Sequence, residues 1–329
     1  MQVPRISVAL GTHNGERFLG EQLRSILDQS HPVDEIVLSD DASRDSTIGV
    51  AEQAVAAAGD DGRPVPTLIV LRNDSPLGVT GNFAQALQAA TGDLILLCDQ
   101  DDRWHVDRVA DALACFATDP ELQLVASDAR LVDEHGAPLP HSLFDTLGID
   151  EGLLARIAAG GASSELLKRN LFTGATMAVR RELVERAAPF PASWVHDEWL
   201  AIVASVTGGL VVIDAPLIDY RQHGGNQIGV TKLELDGKLS RLREPRSDRN
   251  ARLLARAEAL AARAAEFAPT DQRFIREVDE KVQHELVRRD LPRRRVQRIA
   301  PVLGEWRTGR YSRFGLGAQD VLRDLVQPV

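Results

Sequence analysis

Three carboxylates follow an apolar run with almost no break: Leu94 to Cys98 reads LILLC, and Asp99-Gln100-Asp101-Asp102 comes directly after it. Acids this close repel one another, and at the carboxyl end of a strand a divalent cation relieves the repulsion. Hard oxygen ligands suit Mg²⁺ or Mn²⁺. Mg²⁺ takes one or two carboxylates and completes its shell with phosphate and water. The same acids also suit a solvated turn that caps the next helix, and Asp102 is placed for that role.

Four further clusters have chemistry-bearing spacing. Val37-Leu38-Ser39-Asp40-Asp41 again ends a strand run in paired acids, followed by Asp45-Ser46-Thr47. Asp45 or Ser46 suits a helix N-cap; Asp41 is left as a ligand for a pyrimidine N–H or a ribose hydroxyl. Gly11-Thr12-His13-Asn14-Gly15 follows the first strand run. Its small polar residues let a ligand approach the backbone and His13 stack on a base, and they serve a tight turn equally well. Trp194-Val195-His196-Asp197-Glu198-Trp199 sets two acids among aromatics at the start of a helical run. Asp197 there suits a general base, and both acids also suit a helix N-terminus. Tyr220-Arg221-Gln222-His223-Gly224-Gly225-Asn226 is a Gly-rich polar loop after the last strand run. Its His223 is a candidate metal or phosphate contact and its Arg221 a candidate counter-charge.

The elements that must position these residues alternate. Strands are predicted at 6–10, 35–39, 67–71 and 94–98, and helices at 16–29, 46–58, 81–90 and 106–116. Such alternation predicts an α/β fold, a mostly parallel Rossmann-like sheet flanked by helices. Ligands bind such sheets at the carboxyl ends of their strands, so the acidic clusters fall on one rim. Further strands are predicted at 122–127, 175–179 and 210–213, with a helix at 199–206 and a turn-rich stretch with a helical patch at 134–170. Beyond Gly229 only helical signals remain, at 248–267 and 271–289. The organisation expected is two halves of one domain, 1–125 and 126–229, then a C-terminal helical extension, 230–329.

Bulk composition narrows the classes. Of 329 residues 44% are hydrophobic and 26% charged, enough for a sizeable core. The net charge of −10 disfavours a nucleic-acid partner. Two cysteines, Cys98 and Cys115, make no disulfide framework or zinc spacing and fit a reducing cytoplasm. No leader pattern and no run of about 18 apolar residues stands in the chain, so a cytoplasmic protein is expected. Basic residues concentrate locally: between Lys281 and Arg313 stand ten, against three acids, Glu285, Asp290 and Glu305. The ordinary expectation for such a run is a solvated helix face; the sharper one is peripheral attachment to anionic lipid at the inner membrane's cytoplasmic face. The same helices also suit self-association into a homo-oligomer.

Residues 6–116 resemble the nucleotide-sugar domain of family 2 glycosyltransferases, which have the GT-A fold. The matching stretches are ISVALGTHNGERFLGEQLRSILDQS, EIVLSDDASRDST and GNFAQALQAATGDLILLCDQDDRW. Within the family CDQDDRW is most similar to the bacterial rhamnosyltransferase-like branch. The resemblance implies that 1–125 binds the nucleotide-sugar and 126–229 the acceptor. It implies that Asp41 and Thr12 lie near the base, that Asp99 and Asp101 form a DxD motif, and that Asp101 is a direct ligand of Mg²⁺ or Mn²⁺. His13, Asn14 and Trp104 belong to the same donor-binding set, His13 standing where the family more often has Tyr. HDEW resembles the acceptor-side acidic motif and implies Asp197 as the base. RQHGGN implies His223 near metal or phosphate with Arg221 beside it, and Gly174 lines the sugar or acceptor pocket. The implied reaction is inverting transfer from a nucleotide-diphosphate sugar, dTDP-L-rhamnose in this branch, to a cell-surface polysaccharide or lipid-linked glycan. Two rivals compete: a DxD phosphatase, disfavoured by Asp102-Arg103 after the second acid, and a catalytically silent nucleotide-sugar-binding or assembly protein. A dinucleotide oxidoreductase is disfavoured because no G-x-G-x-x-G follows the first strand.

Overall fold

The computed structural model describes residues 4–60, 64–224 and 245–328. Packing divides the chain into a unit of Met1–Ala159 with Leu171–Val230 and a second of Gly160–Asn170 with Thr231–Val329. The boundary expected near residue 230 lies outside the described residues.

Among the described residues the first unit is built on a nine-stranded sheet. Strands β1 (Ile6–Thr12), β2 (Glu35–Asp40), β3 (Thr67–Arg72) and β4 (Leu94–Cys98) run in the order β3-β2-β1-β4 and pair in parallel. Helices Leu19–Leu27, Thr47–Asp60 and Gly78–Ala89 make the crossovers between them. Strands β1, β2 and β4 are buried along nearly their whole length, as continuous apolar runs in a parallel sheet require. The sheet then changes character. Strand β8 (Met177–Arg180) lies antiparallel between β4 and β6 (Leu124–Val132), and β9 (Leu210–Arg221) runs parallel to β6. A two-residue strand β5 (Arg103–Trp104) pairs with β9, and β7 (Pro138–Ser142) with β6. The sheet is therefore parallel in its first half and mixed in its second. The turn-rich stretch after β6 holds β7 and short helices at Leu143–Leu147 and Glu151–Arg156. These elements are too short for a hydrophobic period to reveal.

The second unit contains helices Arg246–Phe267, Gln272–Arg289, Arg295–Arg307, Arg310–Phe314 and Ala318–Val326. The first buries Leu254, Ala257, Leu260, Ala264 and Phe267, the stripe that its sequence period predicts. The expectation of a solvated basic face holds for Arg289, Arg293, Arg294, Arg295 and Arg307, which are exposed, and needs correction for three others. Lys281, Arg288 and Arg298 are buried. Arg288 pairs with Glu285 at 3.1 Å and with Asp324 at 2.7 Å, and Asp324 also accepts from Tyr311 Oη at 2.9 Å and from Arg249. Among the described residues no helix is long and apolar enough to cross a membrane.

Candidate active site

The carboxyl ends of β1, β2 and β4 open into one cavity of about 590 Å³ in the first unit. Thr12, His13, Asn14, Asp41, Asp99, Asp101, Gly174, Asp197 and His223 all line it. Parallel register explains the first convergence. Thr12 stands opposite Asp40, and Leu10 opposite Cys98, so three separate sequence clusters emerge side by side.

The acid cluster is expensive. Asp99 is pushed up from 3.8 to about 7 by burial, then by the neighbouring Asp101 and Asp197 carboxylates. Asp102 is pushed well above the usual carboxylate range by burial, then by the neighbouring Asp101 and Asp99 carboxylates. Its Oδ1 accepts from the Arg221 backbone N–H at 2.9 Å, so Asp102 anchors the end of β9 and is not a helix cap. Beneath the acids lies Arg108, only 2% exposed. Its guanidinium stacks 3.9 Å from the Trp104 ring and donates to the Leu97 and Met177 carbonyls. Arg108 pulls Asp99 down, yet one guanidinium does not balance three carboxylates.

The β1 loop is held by Gln100, to which the sequence assigned no role. Its Oε1 accepts from His13 N–H at 2.8 Å and its Nε2 donates to the His13 carbonyl at 3.1 Å. A side chain on Gly15 would strike the same amide, 2.2 Å from Oε1, so glycine is required there. Asn14 adopts a positive φ of 49°, and its Oδ1 accepts from Arg44 N–H. The His13 ring lies 2.6 Å from the Asp41 carbonyl through Nδ1. Asp41 itself accepts from the Leu77 and Gly78 amides at 2.6 and 3.1 Å. It thus anchors the start of the Gly78–Ala89 helix and keeps its remaining lone pairs for the cavity. Asp45 accepts from Thr47 N–H at 3.0 Å and from Glu16 N–H, which holds the turn leading into the Thr47–Asp60 helix.

Asp197 reaches the cavity from the first turn of helix His196–Thr207. Its Oδ2 accepts from Gly174 N–H at 3.0 Å and its Oδ1 from Glu198 N–H at 2.6 Å. The helix dipole favours a carboxylate there. Next to it His196 stacks on Phe83, ring centroids 4.1 Å apart and 12° from parallel. Burial pushes His196 down to about 3, so it is neutral at physiological pH, and among the described residues neither ring nitrogen has a hydrogen-bond partner. His223 brings Nε2 to 2.7 Å from Asp101 Oδ2 while its ring leans on Phe18.

The family model for glycosyl transferase family 2 matches residues 7–186. The chain belongs to glycosyl transferase family 2. EpsE of Bacillus subtilis, itself named only provisionally as a glycosyltransferase, is 32% identical over 133 residues, 40% of this chain and 46% of EpsE. The chain thus spans just under half of that relative's length. The dTDP-rhamnosyl transferase RfbG of Shigella flexneri is 24% identical over 247 residues, 71% of this chain and 78% of RfbG. Mannosyltransferase PcManGT from Pyrobaculum calidifontis, solved in complex with GDP-Man and Mn²⁺, shares 20% identity and a TM-score of 0.52 over 99% of this chain and 86% of its own. That likeness carries the GT-A fold.

Two expected donor contacts of this family 2 chain lie elsewhere. Trp104 is drawn into the core because β5 pairs with β9, Trp104 opposite Ile218; the side chain is 4% exposed and does not line the acid cavity. Arg221 turns away as well. Its Nε donates to the Asp101 carbonyl at 2.8 Å, its Nη1 to the Glu134 carbonyl, and its Nη2 reaches Glu21 at 2.7 Å. It braces the acidic turn from behind and does not face the cavity. Residues 225–229 of its loop lie outside the described residues.

The donor set of this family 2 site fits a divalent cation. Among the described residues no three His, Cys, Asp or Glu side chains form a ready cage. A nucleotide-bound Mg²⁺ needs only one or two carboxylates, with phosphate and water completing the shell. Asp99 and Asp101 offer them, and a cation would relieve what raises Asp99, its burial first and then the neighbouring carboxylates. Arg108, Gln100 and His196 are the site residues that sequence reasoning missed. Arg108 sits six residues beyond the acid cluster in what reads as an ordinary helix, and only its burial reveals it.

Proposed function

We propose that the protein transfers a sugar from a nucleoside-diphosphate donor to an acceptor hydroxyl with inversion, in a reaction that depends on Mg²⁺ or Mn²⁺. The single observation carrying this reading is the convergence of Asp41, Asp99, Asp101 and Asp197 on one cavity. The donor base lies against Thr12, His13 and Asp41, and the diphosphate lies at Asp99 and Asp101. When bound, the cation supplies Lewis-acid stabilisation of the departing diphosphate. Asp197 takes the acceptor hydroxyl's proton as that oxygen bonds to the anomeric carbon and the carbon–phosphate-oxygen bond breaks. His223 closes on the phosphates beside Asp101. Gly174 keeps Asp197 aimed through its N–H, and neutral His196 walls the acceptor side.

Similarity to RfbG, a dTDP-rhamnosyl transferase, supports dTDP-L-rhamnose as the donor and a lipid-linked or cell-surface glycan as the acceptor. Purified protein with Mn²⁺ should release dTDP from dTDP-rhamnose faster when a polyprenyl-linked glycan is supplied. No release from any nucleotide-sugar of a broad panel, with or without acceptors, sinks the transfer reading. Release from a different donor sinks only the rhamnose assignment.

A further inference from the structure

The helix Arg295–Arg307 buries Arg298, Val302 and Glu305. Its other side is unusual for a soluble surface. Val296 is 79% exposed, Ile299 48%, Leu303 36% and Trp306 52%. At 3.6 residues per turn these four project within an arc of about 80°. The same spacing puts Arg295 on one flank of the stripe and Arg307 on the other, with Arg293 and Arg294 just before the helix. All four arginines are exposed. Glu305, the helix's one acid, is buried and paired with His284 at 2.8 Å. The outward side is therefore apolar along its centre and cationic at its rim, on a chain whose net charge is −10.

We infer that this helix docks in the interfacial plane of an anionic lipid bilayer, the apolar stripe entering the acyl boundary and the arginines contacting lipid phosphates. A Trp- and Leu-bearing stripe with arginines beside it has the chemistry of an interfacial amphipathic helix. Charge decides against a second copy of the chain as the occupant. An isologous contact pairs this patch with its own copy and so crowds the arginines of one basic rim against those of another, whereas an anionic surface complements them. The inference does not depend on the sugar-transfer reading, and its test does not measure transfer.

The full chain is mixed with vesicles of phosphatidylcholine alone or of phosphatidylcholine and phosphatidylglycerol in equal parts, and floated. Trp306 also reports directly, because Trp104, Trp194 and Trp199 are buried. Flotation with anionic vesicles, with a blue shift of Trp emission that Trp306→Phe abolishes, is expected. Ile299→Glu with Leu303→Glu should remove flotation; both side chains are solvent-facing, so circular dichroism should be unchanged. Arg294→Gln with Arg295→Gln should weaken partitioning about 30-fold, from ~1 kcal/mol per basic residue. Three results overturn the inference: no flotation with anionic vesicles, equal flotation with neutral ones, or a dimer in light scattering that the Ile299→Glu, Leu303→Glu pair dissociates.

Discussion

Gly174→Ala is the sharpest test of how the acceptor side is built. A Cβ there would stand 2.8 Å from His196 Nε2, against about 3.4 Å for ordinary contact, an overlap of about 0.6 Å. His196 has little room to retreat, because its ring is stacked on Phe83, and Phe83 is packed so closely on Gly11 that a Cβ on Gly11 would also stand 2.8 Å from that ring. Overpacking of this kind costs about 1–3 kcal/mol. The strain falls on Asp197, whose Cβ is 3.6 Å from the new methyl and whose Oδ2 depends on the Gly174 N–H. Displacements near 1 Å cost roughly 10²-fold in rate, so about 0.6 Å should lower kcat/KM by roughly 10- to 50-fold. Steady-state donor turnover with an acceptor and urea denaturation measure the two effects. Adding His196→Ala should relieve the clash, giving a stabilising coupling of at least about 1 kcal/mol in a double-mutant cycle. Wild-type stability and turnover in Gly174→Ala, or strict additivity in the cycle, would refute the reasoning.

The other perturbations act on separate parts. Asp101→Ala should abolish Mn²⁺-dependent donor turnover and the Mn²⁺-dependent rise in melting temperature with nucleotide; a retained shift removes Asp101 from the metal set. Asp197→Asn should lower kcat by about 10²–10⁴-fold with donor affinity unchanged, measured by turnover beside calorimetry. The pH dependence follows from Asp99, whose carboxyl is raised from 3.8 to about 7. The stabilisation this gives the metal-free protein is complete below about pH 4 and is lost as pH rises through about 7. Cation affinity should move oppositely, strengthening from pH 6 to 8, and Asp99→Asn should flatten both trends in thermal-shift titrations. In the second unit Asp324→Ala should destabilise by about 3–5 kcal/mol in chemical denaturation, because buried Arg288 loses its 2.7 Å partner.

The sequence by itself determined the strands that carry chemistry. LILLC, EIVLS and ISVAL are apolar runs bounded by acids or glycine, and β4, β2 and β1 follow them closely. Asp41, Asp99, Asp101, Asp197 and His223 were legible as candidates because each stands just past a strand run or at a helix start, and all five line one cavity. The same logic misplaced Trp104 and Arg221. Their direction depends on β5 pairing with β9, a contact between residues more than a hundred positions apart. Only the tertiary structure could reveal Arg108 beneath the acids, Gln100 clamping the His13 loop, and the Gly174–His196–Phe83–Gly11 stack. It alone also separated Arg288 and Arg298, buried in the second unit, from Arg294 and Arg295, which face solvent. Local pattern encodes which face of an element is apolar. What a polar side chain pairs with is set by distant segments, and burial then decides whether its charge is balanced or left for a ligand.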